Sequence, residues 1–353
     1  MHGLPKLVAA LLSWIKGVAA GAAAVGSVGG VPYVVLGLLG GGLALTGGTA
    51  VWYTQTHQPL SEAPVVGRLP GMSAAPAAPP FLFAIYGLEK PMGIAVGPDG
   101  RRIYATDTAG DRVIHVLDRS GKEVGTLTPT GANPAQRRPT YLAVSPDGKL
   151  YASDLLRAEV DVFGPDGSYQ GTLRPKGLET ERWQPLALAT DRAGNLYVTE
   201  TTQGKHRVLV LDSEGNVKAQ FGKEGSGSGE LSFPNGLTVD EGKGLVYVSD
   251  SSNSRMQILD PQKGFIGGFR SPQGSSLPRG VAVSGNQLYV ADTIGGNVTA
   301  FALEATPRFL YNFGSDGRGD GQFQFPEGLA VDSSGRIYVA DRENNRIQVF
   351  GYQ

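Results

Sequence analysis

Residues 326–350 read PEGLAVDSSGRIYVADRENNRIQVF. A short apolar run (GLAV) leads through a polar Gly turn (DSSGR) to a second run (IYVAD), then through a polar turn (RENN) to a third (RIQVF). Runs of four to six β-branched and aromatic residues bounded by such turns are strands. The Pro that opens this phrase recurs upstream. Aligned copies begin at Pro91, Pro139, Pro185, Pro234, Pro278 and Pro326, at spacings of 48, 46, 49, 44 and 48. A fourth run precedes the next Pro in repeats one to five: VGTL, YQGTL, VKAQFG, FIGGF and FLYNFG.

Periods of 40–50 residues with four strands each predict propeller blades, so residues 81–353 are expected to form one all-β, six-bladed β-propeller. The chain ends supply an internal check. The sixth repeat stops after its third strand, and FLFAIYG at 81–87 has the form of a fourth strand with no first strand before it. That strand is expected to complete the last blade, which removes an open sheet edge. The phrase at 326–350 resembles an NHL repeat, and PNGLTVDEGKGLVYVSDSSNSRMQIL at 234–259 is similar, while repeats two, three and five diverge more. The resemblance implies a six-bladed propeller used as a platform for protein or other ligand binding, and in some members for catalysis.

Composition agrees with a turn-rich β protein. Of 353 residues, 52 are Gly and 23 are Pro, about a fifth against roughly an eighth in average usage. With no Cys, disulfides, thiolate metal sites and a Cys nucleophile are excluded. Lys and Arg total 31 against 32 Asp and Glu. The part from Phe81 onward holds 28 basic and 31 acidic residues, which gives no electrostatic footprint for nucleic acid.

The first eighty residues differ in kind. No charged residue occurs over 17–61, and 31–53 reads VPYVVLGLLGGGLALTGGTAVWY with Tyr33 near one end and Trp52 and Tyr53 at the other. Twenty-three residues at about 1.5 Å each would cross a hydrocarbon core of about 30 Å. The expectation is a transmembrane helix at 31–53 after an apolar cytoplasmic or interfacial segment at 1–30. Lys6 and Lys16 precede it, which places the N-terminus in the cytoplasm and the propeller outside. The alternative is a cleaved signal peptide ending near 22–24. Gly17 and Gly21, then Gly37 and Gly41, have the spacing that lets membrane helices pack closely, though Gly also serves as filler. Residues 54–80, with six Pro, predict a stiff linker.

A carboxylate ends the second strand in every repeat: Asp107, Asp154, Glu200, Asp250, Asp292 and Asp341. Five residues later stand Arg112, Arg255 and Arg346 in three repeats and Asn297 in another. Residues at one repeat position sit at equal radii, so six such acids cannot meet on one ion unless they line the channel. They are read as turn caps, with the Arg tying each turn to a neighbouring blade. Sites are expected where repeats differ. The residue after each Pro opens the innermost strand, and it varies: Met92, Thr140, Leu186, Asn235, Arg279 and Glu327. With the bulky Tyr141 these form the candidate partner-binding surface at the channel mouth. Trp183 is read as inter-blade packing that corresponds to Phe233 and Phe325.

Two kinds of enzyme bear on this reading. Amidating lyases resemble NHL propellers and hold zinc with three central His. Here the propeller has only His115 and His206, on a third strand and in a turn. Calcium-dependent lactonase-like propellers use Glu, Asn and Asp at the channel mouth; Glu327 and Asn235 are available, but Arg279 between them opposes a divalent cation. No Gly-x-Ser-x-Gly elbow, phosphate loop or His-Glu-x-x-His pattern occurs. The sequence thus points to a non-catalytic, membrane-anchored, extracytoplasmic interaction platform without cofactor or metal. Its expected partner is a protein, as in an accessory or assembly subunit of a membrane complex. The alternatives are a calcium-dependent hydrolase and a small-ligand or envelope-sensing module.

Overall fold

The computed structural model describes residues 77–274 and 276–352, and ahead of them the backbone of three short strands. Those strands, Ala23–Val28, Val31–Leu36 and Leu45–Thr46, pair antiparallel in chain order. They form part of a unit separate from the one that begins at Ala78. The helix expected over 31–53 is therefore not shown: its first six residues are strand, in keeping with the β-branched Val31, Val34 and Val35. No helix among the described residues is long and apolar enough to cross a membrane. Gly17, Gly21, Gly37 and Gly41, most of the linker, Ser275 and Gln353 lie outside the described residues.

From Phe81 onward, six four-stranded antiparallel sheets follow one another. In blade 6 the strands are Pro326–Val331, Ile337–Asp341 and Arg346–Phe350, and the outermost position is filled by Phe81–Ile85. Ile347 pairs with Ile85 and Phe350 with Phe81. The N–H of Gly351 also donates to the carbonyl of Pro80 at 3.0 Å. Chain start and chain end thus share one sheet, so local unzipping at either terminus has to break main-chain hydrogen bonds to the other.

Within each blade the strands run from the innermost, which opens at or just after the repeat Pro, to an exposed fourth. The second strand carries a Tyr three residues before its terminal carboxylate: Tyr104, Tyr151, Tyr197, Tyr247, Tyr289 and Tyr338, all buried. These rings pack among apolar groups of adjoining blades; Tyr338 lies with Ile94 and Ile103 of blade 1, and Tyr247 with Val281 and Leu288 of blade 5. Burial of the ring makes the phenol harder to ionise, so Tyr247 and Tyr338 are pushed up to about 12, with Asp240 and Asp332 adding to the shift.

The innermost strands approach one another so closely that Cβ atoms are excluded at four places. A Cβ built on Gly93 would meet the carbonyl oxygen of Thr140 at 2.5 Å. Gly236, Gly280 and Gly328 likewise face the carbonyls of Arg279, Glu327 and Met92 in the following blade. Hydroxyls reinforce these seams. Thr106 accepts from the N–H of Gly93 and donates to the carbonyl of Thr140 (2.8 and 3.0 Å), and Ser249 donates to the carbonyl of Arg279 at 2.7 Å. Between blades 6 and 1, the N–H of Gly328 donates directly to the carbonyl of Met92 at 2.9 Å. This ring holds the six residues that follow the repeat prolines.

Candidate functional site

The six second-strand carboxylates are used within the chain. Asp341 is fully buried and accepts from the N–H of Gln324 (2.7 Å), Asn344 Nδ2 (2.9 and 3.0 Å), Arg346 Nε (2.7 Å) and Gln348 Nε2 (2.9 Å). Asp250 repeats the arrangement with Ser232, Asn253, Arg255 and Gln257. Each Arg then donates its other end to loop carbonyls ahead of the blade, Arg346 to Gly319 and Gln322, and Arg255 to Gly227 and Glu230. Asp292 accepts from the N–H of Leu277 and of Gly295, both at 3.0 Å. One carboxylate thereby fixes its own turn and the incoming inter-blade loop. Asn297 at the corresponding strand start donates to the carbonyl of Gly295 at 2.9 Å.

Three details differ from the repeat alignment. Arg112 adopts φ 53° and belongs to the turn, donating to the carbonyls of Pro134 and Ala135; one extra residue in blade 1 puts it out of step with Arg255 and Arg346. In blade 3 the matching side chain is Arg207, seven positions after Glu200 and paired with it at 2.6 Å. In blade 2 the Asp154 carboxylate instead meets Arg157 from within the turn, at 3.1 Å, and Arg157 also pairs with Asp161. Turn length differs in blades 1 and 3, and in blade 2 the residue five positions on is Glu159, so a fixed spacing of five misses these partners. Trp183 is buried two residues before its Pro, whereas Phe233 and Phe325 stand one before theirs and are exposed. They are different positions.

The residues after the six prolines do converge. Met92, Thr140, Leu186, Asn235, Arg279 and Glu327 line one cavity of about 340 Å³ at the channel mouth. They are more enclosed than their variability suggests, because the inter-blade loops rise around them; Arg279 alone among the six is only half-buried. The cavity has two unlike halves. Met92, Tyr141 and Leu186 from blades 1–3 pack as an apolar cluster. Blades 4–6 supply Asn235, Arg279 and Glu327.

Arg279 Nη1 lies 3.1 Å from each oxygen of Glu327, and the Tyr141 hydroxyl donates to Glu327 at 3.2 Å from across the mouth. Burial pushes the Glu327 carboxyl up, an effect opposed by Arg279, and Tyr141 is raised by burial and by the Glu327 charge. Asn235 turns its amide to the carbonyl of Phe233 at 3.0 Å. Among the described residues no group of three or more His, Asp or Glu side chains is gathered as a metal site would need. His115 bonds Glu123 at 2.6 Å on the outer side of blade 1, and His206 lies beneath Phe233 with ring centroids 4.7 Å apart.

Around the mouth stands a rim that sequence spacing alone did not single out. Tyr86, Leu156, Phe233, Ile294 and Phe325 are all exposed large apolar side chains on the loops of this one face. Phe233 and Phe325 hold φ 47° and 54°, a left-handed conformation that costs a non-Gly residue roughly 1–2 kcal/mol. The opposite face carries polar turns such as 97–102, 145–149, 191–195 and 332–336.

Strand order, closure and a mouth divided into apolar and charged halves define a six-bladed β-propeller. The NHL repeat signature matches residues 231–259 and 323–350, in the regions of blades 4 and 6. Two of the six blades thus carry the NHL repeat signature on a six-bladed propeller. Protein lin-41 of Caenorhabditis elegans is 30% identical over 120 residues, covering 32% of this chain and 10% of that protein. NHL repeat-containing protein 3 of Homo sapiens is 30% identical over 138 residues, covering 32% of this chain and 40% of that protein. The chain thus spans two fifths or less of these relatives. A streptogramin B lyase structure superposes with TM-score 0.56 at 15% identity, covering 77% of this chain and 97% of that one, a likeness of fold alone.

Proposed function

We propose that this chain is a binding platform that presents its channel-mouth face to a protein partner. The observation that carries the reading is the gathering of Tyr86, Leu156, Phe233, Ile294 and Phe325 on one face around a buried, charged mouth. Of the nine exposed large apolar side chains among the described residues, five stand on this face, a bias that supports an interaction surface there. Two of the five also carry backbone strain, and strained residues that persist cluster at functional sites. NHL propellers serve generally as interaction folds, which supports the same reading.

The platform is proposed to act at a membrane, outside the cytoplasm, tethered by the charge-free run at 17–61 and set off from the bilayer by the Pro-rich stretch at 54–80. A protein of a membrane complex is then its partner. A calcium-dependent hydrolase is less well supported, because Glu327 is engaged by Arg279 and Asn235 points its amide to a main-chain carbonyl.

The test is co-purification of the full chain in mild detergent after crosslinking, alongside Leu156→Ser and Ile294→Ser variants and an Asp147→Ser control on the opposite face. A stoichiometric partner lost with the first two and kept with the control is expected. Recovery of monomer alone, or capture indifferent to the rim variants, overturns the reading.

A further inference from the structure

We propose that the channel mouth binds an acidic side chain or C-terminal carboxylate of an extended, partly apolar peptide segment of the partner; this deepens the platform reading and rests on it. Arg138, Arg279 and Arg342 all line the mouth cavity, where Glu327 is the one carboxylate among the lining residues. One of the three positive charges is left in excess. Arg279 is matched by Glu327, and Arg342 meets Glu343 at 3.1 Å. The Arg138 guanidinium has no hydrogen-bonding or ionic partner among the described residues.

The Nε atoms of all three arginines are buried and unpartnered, and a buried donor without an acceptor is costly. The nearby charges of Arg342 and Arg112 add to burial in lowering Arg138 below the usual guanidinium range. An incoming anion relieves both the missing acceptor and the repulsion. A carboxylate suits the planar fork of a guanidinium.

Shape and lining favour a peptide. The Met92 and Leu186 half of the mouth, with Leu155, offers an apolar wall beside the cations. At Gln184 and Thr201 the mouth adjoins a second cavity of about 660 Å³, whose lining includes Trp183, Arg174, Arg182 and Glu181. A nucleic acid would draw on a broad positive field, whereas the propeller has 28 basic and 31 acidic residues.

The experiment is panning of a phage-displayed random heptapeptide library on the full chain in detergent, followed by anisotropy titration of the fluorescein-labelled enriched peptide. Enriched sequences are expected to hold Asp or Glu next to Leu, Ile or Phe. Binding should weaken at least tenfold in Arg138→Gln and on replacing the peptide's acid by its amide, and less in Arg138→Lys, which keeps the charge. Circular dichroism of each variant shows that the fold is retained. Enrichment without acids, no enrichment over empty vector, unchanged affinity of Arg138→Gln, or tighter binding of a decauridylate RNA overturns the proposal. If Leu156→Ser abolishes capture of the natural partner while Arg138→Gln does not, acid recognition falls and the platform stands. If neither matters, both fall.

Discussion

Replacing Asp341 by Ala tests whether the second-strand carboxylates act as structural staples, because the loss can be worked out from the partners left behind. The wild-type carboxylate is fully buried and accepts from one backbone N–H and from Asn344, Arg346 and Gln348. Without it, the Arg346 guanidinium stays buried, held by the carbonyls of Gly319 and Gln322, with the exposed Asp320 at 3.6 Å as the one acid left beside it among the described residues. Breaking a buried pair in this way costs about 3–5 kcal/mol.

Asp107 supplies the contrast. It accepts from the N–H groups of Glu89, Ala109 and Gly110, and its charged neighbour is His115 at 3.8 Å rather than an Arg. Its removal strands backbone donors in a turn next to solvent, at about 1–3 kcal/mol. Against a total stability of about 5–15 kcal/mol for a domain, Asp341→Ala should lower the urea midpoint markedly and Asp107→Ala modestly. Adding Arg346→Met to Asp341→Ala should recover part of the loss, since the stranded charge leaves with it. The assay is urea unfolding followed by tryptophan fluorescence and circular dichroism. Equal losses below about 1 kcal/mol for both single variants, or a double variant no better than Asp341→Ala, would refute the staple argument; an acid that merely decorates a turn would behave in that way.

Three further outcomes follow from the same geometry. Gly280→Ala drives a Cβ into the carbonyl of Glu327 and should cost about 1–3 kcal/mol, whereas Gly125→Ala, in open space on an exposed outer strand, should be neutral or gain up to about 1 kcal/mol; a pair of urea titrations compares them. Phe325→Asn replaces an exposed aromatic at φ 54° with a residue that tolerates left-handed backbone, so thermal stability should hold or rise by up to about 1 kcal/mol while partner capture falls; a drop in both would show that the ring supports the fold. His115 is held above its ordinary value by Asp107 and by Glu123, so its protonated form is favoured in the folded state. Its contribution is complete below the unfolded value near 6.5 and is lost as pH rises through the higher folded value, with a slope of at most about 1.4 kcal/mol per pH unit. Urea midpoints measured between pH 6 and 8 should fall for wild type and stay flatter for His115→Gln; parallel curves would dismiss the assignment.

The blade count and the order of strands within each blade were legible because both are written locally: a Pro, three apolar runs and their turns recur at intervals of 44–49 residues. Even the closing strand could be found, as an unpaired run ahead of the first repeat. The transmembrane helix expected at 31–53 is not shown. Apolar length and absence of charge are read along a single line of residues, and the structure instead shows strand at Val31–Leu36 and Leu45–Thr46. Val31, Val34 and Val35 fit a strand as readily as an apolar membrane segment, so local composition there does not choose between the two.

The mouth was legible only in half. Choosing the variable residue after each Pro found all six side chains that converge, since variation within a repeat array means that packing does not dictate the residue. What could not be read was how the six differ by blade in space, because that depends on ring closure. Met92 and Leu186 become one wall with Tyr141 only when blades 1–3 stand side by side, and Arg138 meets Arg342 only when the end of the chain returns to its start. The 203 residues between those two arginines keep the charge excess out of any local window. Net charge was misleading for the same reason: a propeller with nearly balanced acids and bases still leaves one mouth guanidinium, that of Arg138, without a carboxylate among the described residues. The turn acids Asp154, Glu200, Asp250 and Asp341 neutralise the arginines of their own turns, Glu327 and Glu343 take up Arg279 and Arg342, and Arg138 is the mouth arginine left without a carboxylate among the described residues.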